Sequence, residues 1–117
     1  MKTNCQKRCS EATQKVIKNG KKSDQFFAVL AETYQALGDS SRIQIVWTLS
    51  HGALCVGNIA DLLGMSQPKV SHHLRSLRNL KLVKVQREGR QSWYSLDDEH
   101  IEGLLKEGMD HVEDLLR

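Results

Sequence analysis

The sequence predicts a mainly α-helical domain with one β-hairpin, an α+β arrangement that dimerises through its first and last long helices. Three observations carry this. From residue 24 onward, apolar residues recur at helical spacing in five segments. Between residues 82 and 96 the pattern changes to two short extended runs around a tight turn. The apolar stripes of the first and last of the five helices exceed what the core of one 117-residue chain can cover.

Residues 1–23 hold seven Lys/Arg against Glu11 and end in NGKK, so they read as a mobile basic arm with a short helix after Ser10. Residues 24–117 form the domain. Asp24 can cap a helix over QFFAVLAETYQAL, with Phe27, Leu30, Ala31, Tyr34 and Leu37 on its apolar side and Gly38 at its end. Asp39 can cap SSRIQIVWTLSHG, closed by Gly52, with Ile43, Val46, Trp47 and Leu49 expected in the core. A third helix covers Val56–Leu63 and stops at Gly64. Ser66 caps a fourth that tolerates Pro68 in its first turn and runs to about Leu80. LVKVQ and QSWYSL flank the turn REGR, which makes a hairpin with Arg87 and Arg90 at its tip. A last helix after LDD carries Ile101, Leu104, Leu105, Val112, Leu115 and Leu116, with Gly108 in the same stripe.

Composition narrows the function classes. The chain is 39% hydrophobic and 26% charged, and no apolar run approaches the length of about 20 residues that a membrane span needs. The N-terminal stretch has no apolar signal core, which points to the cytoplasm, where thiols stay reduced. Cys5, Cys9 and Cys55 cannot all pair within one chain, so they read as ligands, redox thiols or bystanders. No GxSxG, GxxxxGK[ST] or HExxH motif occurs, and nothing else suggests an enzyme. The net charge of +3 is unevenly spread: residues 67–90 hold seven Lys/Arg and one Glu, whereas residues 97–117 hold eight Asp/Glu against Lys106 and Arg117. This suits a nucleic-acid face and a separate face for cations or a partner.

Two short helices joined by Gly64-Met65-Ser66 make a helix-turn-helix, and the hairpin that follows makes it a winged helix-turn-helix. Val70, Leu74 and Leu77 form the buried stripe of the second helix. Its other face carries Gln67, Lys69, Ser71, His72 and Arg75, residue types that reach phosphates and base edges, and Arg87 and Arg90 on the wing can grip the backbone. Adjacent His72 and His73 diverge by about 100° on a helix and cannot readily chelate one ion together. His72 reads as a DNA-face residue and His73 as partly buried.

The last helix places Asp98 and His100 at its start and His111 and Asp114 near its end. The two histidines share a face but stand about 16 Å apart. Two antiparallel copies across a two-fold axis would bring Asp98 and His100 of one subunit to His111 and Asp114 of the other, twice over. Two imidazoles and two carboxylates suit zinc or a similar divalent ion. Spacing alone fits a solvated acidic helix with two histidines equally well.

Residues 24–117 resemble the ArsR/SmtB family of metal-responsive winged-helix repressors. The resemblance is carried by FFAVLAETYQALGDSSRIQIVWTL, ALCVGNIADLLGMSQPKVSHHLRSLRNLKLV, REGRQSWYSL and DDEHIEGLLKEGMDHVED. It is strongest to SmtB-type zinc sensors, whose last helix has D-x-H followed by H-x-x-[E/H]. Asp98, His100 and His111 fit this pattern; Asp114 is a shorter carboxylate than the usual Glu, and neighbouring Glu113 can substitute. Cadmium- and lead-sensing relatives use Cys-x-x-x-Cys in the arm with Cys-Val-Cys further on. Here Cys5 and Cys9 have the arm spacing, Cys55 lies in LCVG, and Gly57 replaces the last cysteine. Three thiolates suit Cd(II) or Pb(II).

The resemblance implies a homodimeric repressor that binds double-stranded operator DNA and is released by Zn(II), or by Cd(II) or Pb(II) at the cysteines. It further implies that metal-bound His111 donates its second N–H to a backbone carbonyl near Lys81. A thiol-based redox regulator is the alternative; four protein ligands leave no open position for a metalloenzyme.

Overall fold

The computed structural model describes residues 9–117, which fall into two compact units, one ending at Ala31 and one spanning Glu32–Arg117. The described residues contain six helices and one two-stranded antiparallel sheet. No described helix is long and apolar enough to cross a membrane.

In the first unit, α1 (Glu11–Gly20) is capped by Ser10, whose hydroxyl accepts the Thr13 N–H at 3.1 Å. None of its residues is buried. Helix α2 (Asp24–Leu37) starts one residue earlier than its expected cap allows. The Ser23 hydroxyl accepts the Phe26 N–H at 3.0 Å, so Asp24 is the first helical residue and places its carboxylate at the positive end of the helix dipole.

The second unit opens on the end of α2. Arg42 donates Nε–H to the Ala36 carbonyl at 2.8 Å, which satisfies one of the acceptors a helix end leaves open. Helix α3 (Ser40–Leu49) is capped by Asp39, which accepts the Arg42 N–H at 3.0 Å. Helix α4 (Val56–Leu63) ends at Gly64, whose φ of 65° is left-handed, where a side chain would be strained. Ser66 then caps α5 (Gln67–Asn79). Strands β1 (Val83–Glu88) and β2 (Gln91–Leu96) pair from Val83 with Leu96 to Glu88 with Gln91, which leaves Gly89 and Arg90 as the turn. Helix α6 (Glu99–Leu115) follows.

The core gathers Ile45, Val46 and Leu49 of α3, Ile59 and Ala60 of α4, Val70, Leu74 and Leu77 of α5, and the base of the hairpin. Ile101 and Leu105 attach the first half of α6 to it. Val70, Leu74 and Leu77 are fully buried, so the opposite face of α5 is held outward by packing on its stripe.

Two details depart from expectation. Trp47 is 42% exposed, Ile43 is only partly covered, and Ile45 and Thr48 take the inward positions. The buried arc is centred on Ile45 and Leu49. Thr48 enters it because its hydroxyl donates to the Gln44 carbonyl at 2.7 Å, which removes the desolvation cost. Leu54 forms an isolated bridge with Tyr94, with backbone bonds of 3.0 and 2.8 Å, and so fastens the segment before α4 to the wing.

Candidate nucleic-acid face and metal ligands

Gly64, Met65 and Ser66 turn the chain between α4 and α5, with the Met65 N–H bonded to the Ala60 carbonyl at 3.0 Å. Gln67, Lys69, His72 and Arg75 are exposed on α5 and Ser71 is partly covered. Arg87 and Arg90 are exposed on the hairpin, Arg90 in the turn and Arg87 in β1, where its Nε–H donates to the Gly89 carbonyl at 3.4 Å. The ion pairs among the described residues are His100–Asp98, Lys106–Asp110 and Arg117–Asp114. The seven Lys/Arg of residues 67–90 take part in none of them, so their charge is uncompensated at close range.

His72 is exposed and His73 half-buried, with the two rings tilted and 6.1 Å apart. His73 Nδ1 is buried without a hydrogen-bond partner, and desolvation holds its pKa below the ordinary imidazole value.

The expected metal ligands lie at the two ends of α6, all exposed. Asp98 is the N-cap: its Oδ1 accepts the His100 N–H at 2.8 Å and the Ile101 N–H at 3.3 Å and lies 3.3 Å from His100 Nδ1. Partial desolvation acts in the opposite sense, but the His100 N–H, the His100 ring and the Ile101 N–H hold the Asp98 carboxyl below its ordinary pKa. All these contacts use Oδ1, which leaves Oδ2 and His100 Nε2 for another partner. Asp114 forms a 3.6 Å ion pair with Arg117, and Glu113 faces a groove lined by Tyr34, Leu104 and Val112. Among the described residues no three His, Cys, Asp or Glu side chains converge on one point. The chemistry of the donors fits a divalent ion, but one straight helix keeps the two halves of the set apart.

Of the three thiols, Cys5 lies outside the described residues. Cys9 is exposed in the first unit. In the second unit, Cys55 is half-buried at the N-cap of α4, and its Sγ lies 2.9 Å from the Asn58 Oδ1 to which it donates. A Cβ added at Gly57 would make only an ordinary contact, 3.7 Å from Gln67 Nε2, so packing does not demand glycine where the relatives' further cysteine would stand.

Sequence reading missed a concavity of about 610 Å3 between the second half of α5 and the hairpin, lined by Ser71, Arg75, Arg78, Asn79, Lys81 and Tyr94. Arg78 follows Arg75 by three residues and therefore shares its helix face, a signal that was readable. Tyr94 was not readable as a wall, because only the tertiary fold brings β2 there.

A short-turn helix pair, an outward cationic helix face and a hairpin wing define a winged helix-turn-helix DNA-binding domain. The model of bacterial regulatory proteins of the arsR family matches residues 39–85. The cadmium resistance transcriptional regulatory protein CadC homolog of Staphylococcus aureus is 41% identical over 83 residues, which is 70% of this chain and 69% of that protein. The HTH-type transcriptional regulator NmtR of Mycobacterium tuberculosis is 48% identical over 88 residues, 75% of this chain and 73% of that protein. The transcriptional repressor SmtB homolog of Synechocystis is 41% identical over 85 residues, 73% of this chain but 64% of that protein. This chain belongs to the arsR family of bacterial regulatory proteins. Solved structures agree. Apo-NmtR matches with a TM-score of 0.69 and 44% identity over 81% of this chain and 80% of that one. A homodimeric winged helix-turn-helix DNA-binding domain from Mycobacterium bovis, a possible ArsR-family regulator, matches with a TM-score of 0.75 and 27% identity over 83% and 93%.

Proposed function

We propose that the chain is a metal-responsive repressor of transcription in the cytoplasm. It binds double-stranded operator DNA as a homodimer and releases it when a divalent metal is bound. Zn(II) is the first choice, held by Asp98 and His100 of one copy with His111 and Asp114 of the other; Glu113 stands by for Asp114. The observation that carries this is the division of one exposed N/O donor set between the two ends of α6, with one Asp98 oxygen unpaired among the described residues. Residues 24–117 serve DNA binding and dimerisation. Residues 1–23 supply Cys5 and Cys9, which with Cys55 form a softer site for Cd(II) or Pb(II). The similarity to the CadC homolog, a cadmium resistance regulatory protein, supports that choice.

The interface with the second copy uses Phe27 and Leu30 of α2 and Leu104, Val112 and Leu115 of α6, all exposed in the single chain. Gly108 lines a groove on the second unit, and a Cβ there would meet nothing within 4 Å. Its smallness therefore serves no contact within that unit and supports close approach of a second backbone.

Bound Zn(II) supplies a positive charge that fixes the tautomer of its imidazole ligand. With zinc bound, His111 would be able to donate its other N–H to a backbone carbonyl near Lys81. Such a bond would tie the dimer helices to the reading heads and favour a spacing unsuited to two half-sites. The low-affinity conformation must bind metal more tightly, and the coupling is reciprocal.

Titration of an operator complex with Zn(II), Cd(II) and Pb(II) tests the reading. Wild type should release DNA with Zn(II), and His100→Ala should lose the response. His111→Asp should keep some zinc affinity and lose most of the effect on DNA. A response that survives His100→Ala but disappears when all three cysteines are replaced would place regulation at the thiols instead.

A further inference from the structure

We propose that the concavity between the second half of α5 and the hairpin is a phosphodiester clamp. In it, Arg75, Arg78 and Lys81, with the hydroxyl of Tyr94, seat a stretch of DNA backbone beside the bases read from the first half of α5. This rests on the operator-binding reading above and adds Arg78, Lys81 and Tyr94 to it.

The lining is cationic and unsatisfied. Arg75, Arg78 and Lys81 have no carboxylate within ion-pair distance among the described residues. Like charges three apart on a helix destabilise it, so Arg75 and Arg78 on one face make sense when an anion lies between them. The space is about 610 Å3, more than a lone phosphate fills, and suits a phosphate with its flanking sugars.

The walls are fixed before anything binds. Fully buried Val70, Leu74 and Leu77 hold α5 in place. Tyr94 has its N–H and carbonyl both bonded to Leu54, at 2.8 and 3.0 Å, so its ring is carried by an anchored strand. A rigid cationic wall loses less entropy on meeting phosphate than a flexible one.

Lys81 provides a separate argument. Its φ of 57° is left-handed, a conformation in which glycine or asparagine is at ease and lysine is not. The surrounding turn imposes it: the Lys81 N–H bonds the Arg78 carbonyl at 3.0 Å, and the Leu82 N–H bonds the Leu77 carbonyl at 2.9 Å. A glycine would serve this turn better. The lysine side chain therefore answers to something other than folding, and it points to the anion the other two cations also lack.

Binding of the full chain to a fluorescein-labelled mixed-sequence duplex, followed by anisotropy across a salt series, tests this. Lys81→Gly should keep or raise the melting temperature, weaken binding, and lower the slope of log affinity against log salt by about one. Arg78→Ala should lower the slope likewise, and the double variant by about two. Tyr94→Phe should weaken binding with the slope unchanged, since it removes a hydroxyl and no charge. If wild type binds with a steep slope and Lys81→Gly and Arg78→Ala leave that slope intact, the clamp is refuted while the DNA reading stands. If wild type shows no salt-dependent binding, both fall. Calorimetry with inorganic phosphate separates the sources of the anion. Saturable heat that vanishes in the double variant, with an unchanged slope on DNA, identifies a free-anion site and overturns the backbone assignment.

Discussion

His73 sits beside an exposed neighbour on α5, yet its Nδ1 is sealed from water and from every donor and acceptor among the described residues. Desolvation lowers its pKa; Asp39 opposes this, while Arg42, Lys69 and His72 reinforce it. The sign follows. The folded chain binds this proton less readily than the unfolded chain, so stability is full above the ordinary value of 6.5, falls as pH drops below it, and levels off once the folded pKa is passed. Asp39 acts lower on the scale. The Arg42 N–H, its largest influence, holds its pKa below the ordinary 3.8, so its contribution is present above that value and is lost as pH falls through the lowered one. Acid unfolding should therefore have two limbs, and His73→Leu should flatten the first while leaving most of the second, which rests chiefly on the Arg42 N–H. Melting temperatures measured from pH 7 to pH 3 decide this; an unchanged first limb would mean that another group carries it. Residue-level reading succeeded for His73 and failed for Trp47. An indole has enough apolar surface to look like core, but burial depends on which arc of α3 meets α4 and α5, and no local pattern specifies that.

At the scale of elements, the recognition helix and the wing divide the work by chemistry. Arg90 in the turn between β1 and β2 has only charge to offer, so Arg90→Ala should weaken binding to all sequences alike and flatten the salt slope by about one. Ser71 and His72 lie on the face that approaches base edges, and Ser71→Ala or His72→Ala should change which sequences are preferred, by about 1–3 kcal/mol at the affected base pair. Binding-site selection from a random pool, repeated for each variant, separates the two effects. Equal losses on all DNA from both kinds of variant would show the face to be misassigned. The elements themselves were readable because their ends are chemically marked. Ser66, Asp39 and Asp98 each accept an N–H at a helix start, and Gly64 closes α4 in a left-handed conformation. The bridge between Leu54 and Tyr94 was not readable, since a single pair of residues leaves no alternation in the sequence.

At the scale of the whole molecule, α6 serves two surfaces. Ile101 and Leu105 are buried within one chain, whereas Leu104, Met109 and Val112 remain exposed along a groove of about 520 Å3. The chain should sediment as a dimer at micromolar concentration. Val112→Asp places a charge in that apolar face and should weaken the dimer by at least about 3 kcal/mol, roughly a hundredfold in dissociation constant. The same variant should lose high-affinity zinc binding, because neither end of α6 holds a full ligand set. A monomeric wild type, or a monomeric variant that binds zinc as tightly as wild type, would remove the shared site.

The sequence alone determined what is encoded locally. Helix periods, caps, the three-residue turn and the hairpin turn depend on residues only a few positions apart, and so do the pairs of donors at each end of α6. The resemblance to a family of repressors followed from the same local strings. Tertiary structure decided what depends on distance: that Trp47 faces outward, that Leu54 bridges to Tyr94, and that Tyr94 meets Arg75, Arg78 and Lys81 around one cleft. These outcomes arise from packing between elements far apart in the chain, where many arrangements share the same local periodicity and only the mutual fit of side chains selects one.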